Sequence, residues 1–168
     1  MFYLELFKAL QDDDVRYVVV GGLAVNLHGL SRLTMDVDLV IALDGENLSR
    51  FANAAQRLGL KPVVPVTLAE LGDAAKVRSW IEEKHMLAFA LRPPGPADPT
   101  IDLLMQPSVP FTEAYARRVE KDLGGVRVAI ACVDDLIALK TGTGRVKDES
   151  DISALRTLQA ERDKGGQS

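Results

Sequence analysis

Cysteine is almost absent from this 168-residue chain. Cys132 stands alone, which rules out an internal disulfide and suits a reducing compartment. Its neighbours Val128-Ala129-Ile130-Ala131 suggest a small core residue. Only two histidines occur, and His28 has no second histidine at metal-ligand spacing, so it reads as half-buried structure. Aromatic residues are 5% of the chain, which predicts a mainly aliphatic core. No apolar run approaches the roughly 20 residues that cross a bilayer. Met1-Phe2-Tyr3 leads into a charged amphipathic segment and not into a secretory leader, so a soluble, cytoplasmic protein without a membrane partner is expected. Positive charge is not in excess: 20 Lys and Arg face 24 Asp and Glu, a net charge of -4, which argues against broad nonspecific nucleic-acid binding but leaves room for a local basic strip.

What is present is ordinary globular material, 47% hydrophobic and 26% charged, in a length that favours one domain spanning 1–168. No internal repeat interrupts it. The informative stretch is Tyr17 to Ala42. A β-branched run, Val18-Val19-Val20, stops at Gly21-Gly22, an apolar helical segment starts at about Leu23, and a second β-branched run carries Asp36 and Asp38. Side chains alternate along a strand, so both aspartates face one way while Met35, Val37 and Leu39 face the other.

Two like charges in one small volume repel. Protonation, exposure to water, or a divalent cation between them relieves the cost. The last option makes a hard-oxygen site for magnesium, which completes its shell with phosphates and water. The glycine pair supplies an anion site beside it, because glycine lets backbone approach a ligand and the following helix start presents free N–H groups. Taken alone, Met-Asp-Val-Asp-Leu-Val is also what a half-buried strand with one wet face looks like. A third carboxylate, Asp102, recurs in another short apolar run, Thr-Ile-Asp-Leu-Leu-Met.

The remaining pattern predicts a helix from Phe2 to about Gln11 and a solvated acidic turn at Asp12-Asp13-Asp14. Further helices are expected over Glu46 to Leu58 and from Thr67, with Glu70 at capping-box spacing, to about Glu83 with a break near Gly72. Lys61 to Val66, with two prolines, suits an edge strand. Met86 to Leu91 and Thr100 to Met105 read as strands joined by the proline-rich loop Arg92 to Pro99. Phe111 to Arg118 reads as a helix, and a hairpin turns at Gly124-Gly125. Asp134 or Asp135 opens a helix through Lys140, and Lys147 to about Arg162 forms the last, with Ile152, Leu155 and Leu158 inward. The tail Lys164 to Ser168 should fray.

The strand ending in Gly21-Gly22, the helix, Asp36-Val37-Asp38 and the later Asp102 resemble, in order and spacing, the nucleotidyltransferases of the DNA polymerase β superfamily. Ser31 to Asp38, and Asp135-Leu136-Ile137-Ala138-Leu139-Lys140 followed by Arg145, Lys147, Asp148 and Asp151, are most similar to small bacterial proteins related to the abortive-infection and MenA-type toxin nucleotidyltransferases. The similarity covers roughly 15 to 160. Many members have Ser where this chain has Gly22, so phosphate binding falls to backbone N–H groups and basic side chains.

The resemblance implies an α/β (α+β) nucleotidyltransferase fold, a mixed central β-sheet flanked by helices, with a core of about 15–131 and C-terminal helices over about 133–162. It implies transfer of an NMP group from an NTP to an acceptor hydroxyl on tRNA, protein or a small molecule. Asp36, Asp38 and Asp102 would be the catalytic and metal-binding residues, with two Mg2+ ions, Mn2+ being the alternative. Gly21, Gly22, Arg32 and Lys140 would bind the nucleotide, although Arg32 also suits the surface and Lys140 a solvated helix end. It further allows a toxin-like role with a cognate antitoxin or toxin partner. The competing expectation is a catalytically silent nucleotide-binding or antitoxin-like protein of the same fold.

Overall fold

In the computed structural model, which describes residues 2–165, the β-branched runs around the glycine pair form the middle of a sheet. Strand β1 (Tyr17–Val20) ends at Gly21, helix α2 (Gly21–Leu27) follows, and strand β2 (Asp36–Ile41) returns antiparallel, with Tyr17 opposite Ile41 and Val20 opposite Asp38. The helix opens at Gly21 and not at the expected Leu23. Every residue of β1 is buried, as for a strand covered on both faces.

The other strands complete a seven-stranded mixed sheet. They are β3 (Lys61–Pro62), β4 (Ala88–Arg92), β5 (Thr100–Leu104), β6 (Val119–Leu123) and β7 (Val126–Ile130), and the spatial order is β3-β4-β5-β2-β1-β7-β6. β5 lies parallel to β2 and β7 parallel to β1, while the other neighbours are antiparallel. Pro62 sits in the edge strand, where its missing N–H costs no central ladder bond. The proline-rich loop joins β4 and β5 as an antiparallel pair, and β4 starts at Ala88 rather than at Met86.

Helices α1 (Phe2–Asp12), α3 (Gly45–Arg57), α4 (Leu68–Leu71), α5 (Ala74–Lys84), α6 (Phe111–Ala116), α7 (Val133–Lys140) and α8 (Val146–Lys164) surround the sheet. The Thr67–Glu70 capping box forms, and α4 ends at Gly72 as expected. The helix beginning at Phe111 stops at Ala116, short of Arg118. α1 packs on β7 and α3, and α7 packs on α8 and α2. Leu155 is buried on the inward face of α8, with Ile152 and Leu158 half-buried beside it. Lys164 closes that helix, and the remainder of the expected frayed tail lies outside the described residues. Among the described residues no helix is long and apolar enough to cross a membrane.

Aliphatic side chains dominate the core, and four of its aromatics stack in two pairs: Phe7 on Tyr17 with centroids 5.9 Å apart, and Trp80 on Phe89 at 5.5 Å. Asn47, fully buried on α3, stitches strand ends together: its Oδ1 accepts from Arg16 N at 2.7 Å, and its Nδ2 donates to the carbonyls of Arg16 and Ala42 at 3.0 and 2.8 Å. His28 is more deeply buried than expected. Its Nε2–H donates to the Ala131 carbonyl at 2.8 Å, and burial holds its pKa below the ordinary value. Cys132 is not a core residue: it is partly exposed at the N-cap of α7.

Candidate active site

Backbone register, and no side-chain bond, brings the candidate carboxylates together. β2 and β5 run parallel with Asp38 paired to Asp102 and Asp36 to Thr100. Paired residues on adjacent strands, about 4.8 Å apart, project to the same face, and alternation adds Asp36 to that face. Asp36 is exposed while Asp38 and Asp102 are half-buried. Burial, then the nearby Asp102 and Asp36, push the Asp38 carboxyl up to about 6, against a smaller opposing pull from Lys140 and Arg145. Burial and Asp36 raise Asp102 likewise. This is a face whose negative charge is only partly compensated.

The donor chemistry suits a hard divalent cation, since all three candidates are carboxylates and a cation would relieve their repulsion. They do not form a closed chelate. Among the described residues no three His, Cys, Asp or Glu side chains are gathered so as to hold an ion by themselves, so phosphate and water oxygens would have to complete the shell.

The glycine turn touches this face directly. Gly21 has φ of +68°, a conformation that favours glycine, and a Cβ there would collide with the Asp38 carboxylate. A Cβ on Gly22 would run into Nη1 of Arg32 and lie 3.0 Å from Thr34 Oγ1. The Arg32 guanidinium therefore occupies the space where a side chain at position 22 would stand.

Behind Arg32 lies a buried ionic network from the C-terminal helices. Arg32 Nε is 3.0 Å from Asp151 Oδ1, and Asp151 Oδ2 is 3.0 Å from Lys140 Nζ. Lys140 is also 3.4 Å from Asp148 Oδ1, and Asp148 Oδ2 receives Thr143 Oγ1 at 2.7 Å and Arg145 Nε at 3.0 Å. Burial alone would raise Asp148, but the Thr143 hydroxyl, Lys140 and Arg145 outweigh it and hold its pKa low. Lys140 is thus no solvated helix-end lysine: it is buried and engaged with two carboxylates. A direct phosphate contact by Lys140 would have to break these pairs. Asp148 and Asp151 figure in the sequence only as points of family resemblance, with no assigned role, yet they share with Leu155 the inward face of α8, where a buried carboxylate needs a cation.

Two concavities, of about 660 and 530 Å³, lie at the opposite end of β1, lined by Arg16, Tyr115 and their neighbours. Neither includes Asp36, Asp38 or Asp102, and the convergence of carboxylates, glycine turn and cations marks the other end as the better place for chemistry.

Residues 4–160 match the family model described as "Nucleotidyltransferase of unknown function (DUF6036)". The chain belongs to this nucleotidyltransferase family. No curated protein matches it. Among solved structures the fold is shared with the antibiotic-resistance factor ANT(2'')-Ia, whose solution structure gives a TM-score of 0.59 at 14% identity over 98% of this chain and 86% of that one. The crystal structure of ANT(2'')-Ia with adenylyl-2''-tobramycin gives 0.57 at 14% identity, over 97% and 95%. An antigenic nucleotidyltransferase-like protein from Paracoccidioides brasiliensis gives 0.55 at 20% identity, over 91% and 71%.

In this nucleotidyltransferase, Gly21, Gly22, Arg32, Asp36, Asp38 and Asp102 stand around one end of the β1, β2 and β5 strands. The loop between β4 and β5 borders the same end, since Thr100 pairs with Asp36. Lys140 stands further back and reaches the carboxylates through its field.

Proposed function

We propose that a single domain over residues 1–168 transfers an NMP group from an NTP to an acceptor hydroxyl with the help of a divalent metal. The observation that supports this best is Asp38 abreast of Asp102, with Asp36 on the same face and the Gly21-Gly22 turn against Asp38. In the proposed reaction the acceptor oxygen attacks the α-phosphorus in line. A phosphorus–oxygen bond forms to the acceptor as the bond to the β-phosphate breaks, and pyrophosphate leaves. Asp102, on the acceptor side, takes the hydroxyl proton. Asp36 and Asp38 would hold two Mg2+ ions, Mn2+ being the alternative, and Asp102 would share the one nearer the acceptor. Bound metal supplies neutralisation of the triphosphate and polarisation of the attacked phosphoryl group. Gly21 and Gly22 admit the leaving phosphates to the backbone, and Arg32 grips them with a guanidinium.

The acceptor is an alcohol on tRNA, on a protein or on a small molecule. Aminoglycosides are worth trying as acceptors, because ANT(2'')-Ia, which shares the fold, has been crystallised with adenylyl-2''-tobramycin. The test is incubation with each α-labelled NTP and magnesium, with and without total tRNA or aminoglycosides, followed by separation of labelled protein, RNA and small products. Label in any fraction supports the transferase. Binding of NTP without transfer to any acceptor would support the silent, antitoxin-like alternative. A toxin-like role requires in addition that expression arrests growth and that a cognate antitoxin relieves it.

A further inference from the structure

We propose that Asp151 is a positioning residue for nucleotide binding: from helix α8 it holds the Arg32 guanidinium over the Gly22 backbone and so sets the grip on the nucleotide's phosphates. This rests on the nucleotidyl-transfer proposal for the same face.

Arg32 belongs to the segment between α2 and β2, which has no regular structure of its own. Its neighbours Leu33 and Met35 are 83% and 68% exposed, so apolar packing does little to fix the segment. Thr34 Oγ1 bonds only locally, to the Asp36 carbonyl at 3.2 Å. The tie to the rest of the protein at Arg32 is its Nε contact with Asp151 Oδ1 at 3.0 Å. That contact engages Nε, and Nη1 projects over Gly22. A guanidinium anchored at one nitrogen presents the others as a preoriented fork, which costs less entropy on binding phosphate than a free surface arginine.

Asp151 is itself well fixed. It is 7% exposed, and its second oxygen is taken by Lys140. Lys140 in turn is bound by Asp148, and Asp148 by Thr143 and Arg145. In this network Arg32, Lys140 and Arg145 face Asp148 and Asp151, an excess of one positive charge. The excess reaches the carboxylate face, since Lys140 and Arg145 both favour the ionised form of Asp38. A purely structural clasp between α7 and α8 could use Lys140 and the two aspartates alone. The extension of Asp151 to Arg32, across to the glycine turn, is what couples that clasp to the nucleotide.

The test is a double-mutant cycle read by calorimetric affinity for an α,β-methylene nucleoside triphosphate with magnesium, and for magnesium pyrophosphate as a phosphate-only probe. Arg32→Ala and Asp151→Asn should each weaken both probes about tenfold or more, and the double variant should be no weaker than Arg32→Ala alone. Asp151→Glu tests the same contact with the charge kept for Lys140 but the carboxylate moved by one methylene: it should weaken both probes in the wild-type background, with no further loss in Arg32→Ala. This arm stands even where Asp151→Asn does not fold. Multiplying losses in the double variants, or unchanged affinity in Arg32→Ala, would overturn the proposal while wild-type binding and its loss in Asp38→Asn left the site reading intact. A wild type that binds neither probe would overturn both.

Discussion

Asp38 of β2 stands directly abreast of Asp102 of β5, and parallel strand register alone puts the two carboxylates there. The pair is energetically unfavourable in the metal-free protein, and that cost can be measured.

Burial and the neighbouring carboxylates raise Asp38 from 3.8 to about 6, so between about pH 4 and pH 6 the folded state keeps a proton that the unfolded chain releases. Stability contributed by that proton is lost as pH rises through this window and stays lost above it. Asp38→Asn should therefore stabilise the metal-free protein by roughly 1–3 kcal/mol at pH 7 and by little at pH 4. Thermal melts of both proteins in EDTA at the two pH values test this. Equal melting shifts at both would show that Asp38 carries no such penalty.

Magnesium should cancel the same penalty and admit the triphosphate. NTP with magnesium is expected to raise the melting temperature, and NTP with EDTA is not. The gain should be greater at pH 7.5 than at pH 5, where Asp38 is largely protonated. A shift independent of both metal and pH would argue against the carboxylates as the cation site.

The three carboxylates are assigned unequal work. Asp36→Asn should weaken metal and nucleotide binding together. Asp102→Asn should leave nucleotide affinity close to wild type while depressing turnover about a hundredfold or more, the pattern of an interaction made mainly in the transition state. Calorimetry paired with label transfer separates the two. Full transfer by a folded Asp102→Asn protein would remove Asp102 from the chemistry.

The two glycines should fail differently. Gly21→Val forces a β-branched residue to positive φ and into the Asp38 carboxylate, and should destabilise the fold by about 2 kcal/mol or more. Gly22→Val meets the movable end of Arg32 instead, and should lose nucleotide affinity in a protein that melts near wild type. Chemical denaturation and nucleotide titration of both variants give the comparison. Identical behaviour would contradict the separate contacts.

Asn47→Ala should cost about 1–3 kcal/mol without altering the chemistry, because it takes the side-chain partner from the part-buried Arg16 N–H and Ala42 carbonyl at the far end of β1 and β2. Denaturant unfolding measures the loss. An unchanged midpoint would mean that water replaces the side chain there.

Local properties of the chain were enough to fix much of this protein. β-branched runs made β1 and β2, the Thr67–Glu70 spacing made a capping box, and prolines kept Lys61–Pro62 at an edge, because each depends on residues close in sequence. The shared face of Asp36 and Asp38 follows from strand alternation in the same way. What local pattern does not encode is which strand lies beside which. The parallel pairing that puts Asp102 abreast of Asp38 joins segments far apart in the chain, and only the sheet order decided it. The same holds for Lys140, Asp148 and Asp151. As sequence, a helix-end lysine and two aspartates in a polar helix suit solvent, whereas the docking of α8 on α7 removes that solvent and makes each the partner the others require. Burial is a property of the assembled surfaces, so the charge that must be paired, and the arginine it holds over Gly22, emerge only when the helices are in place.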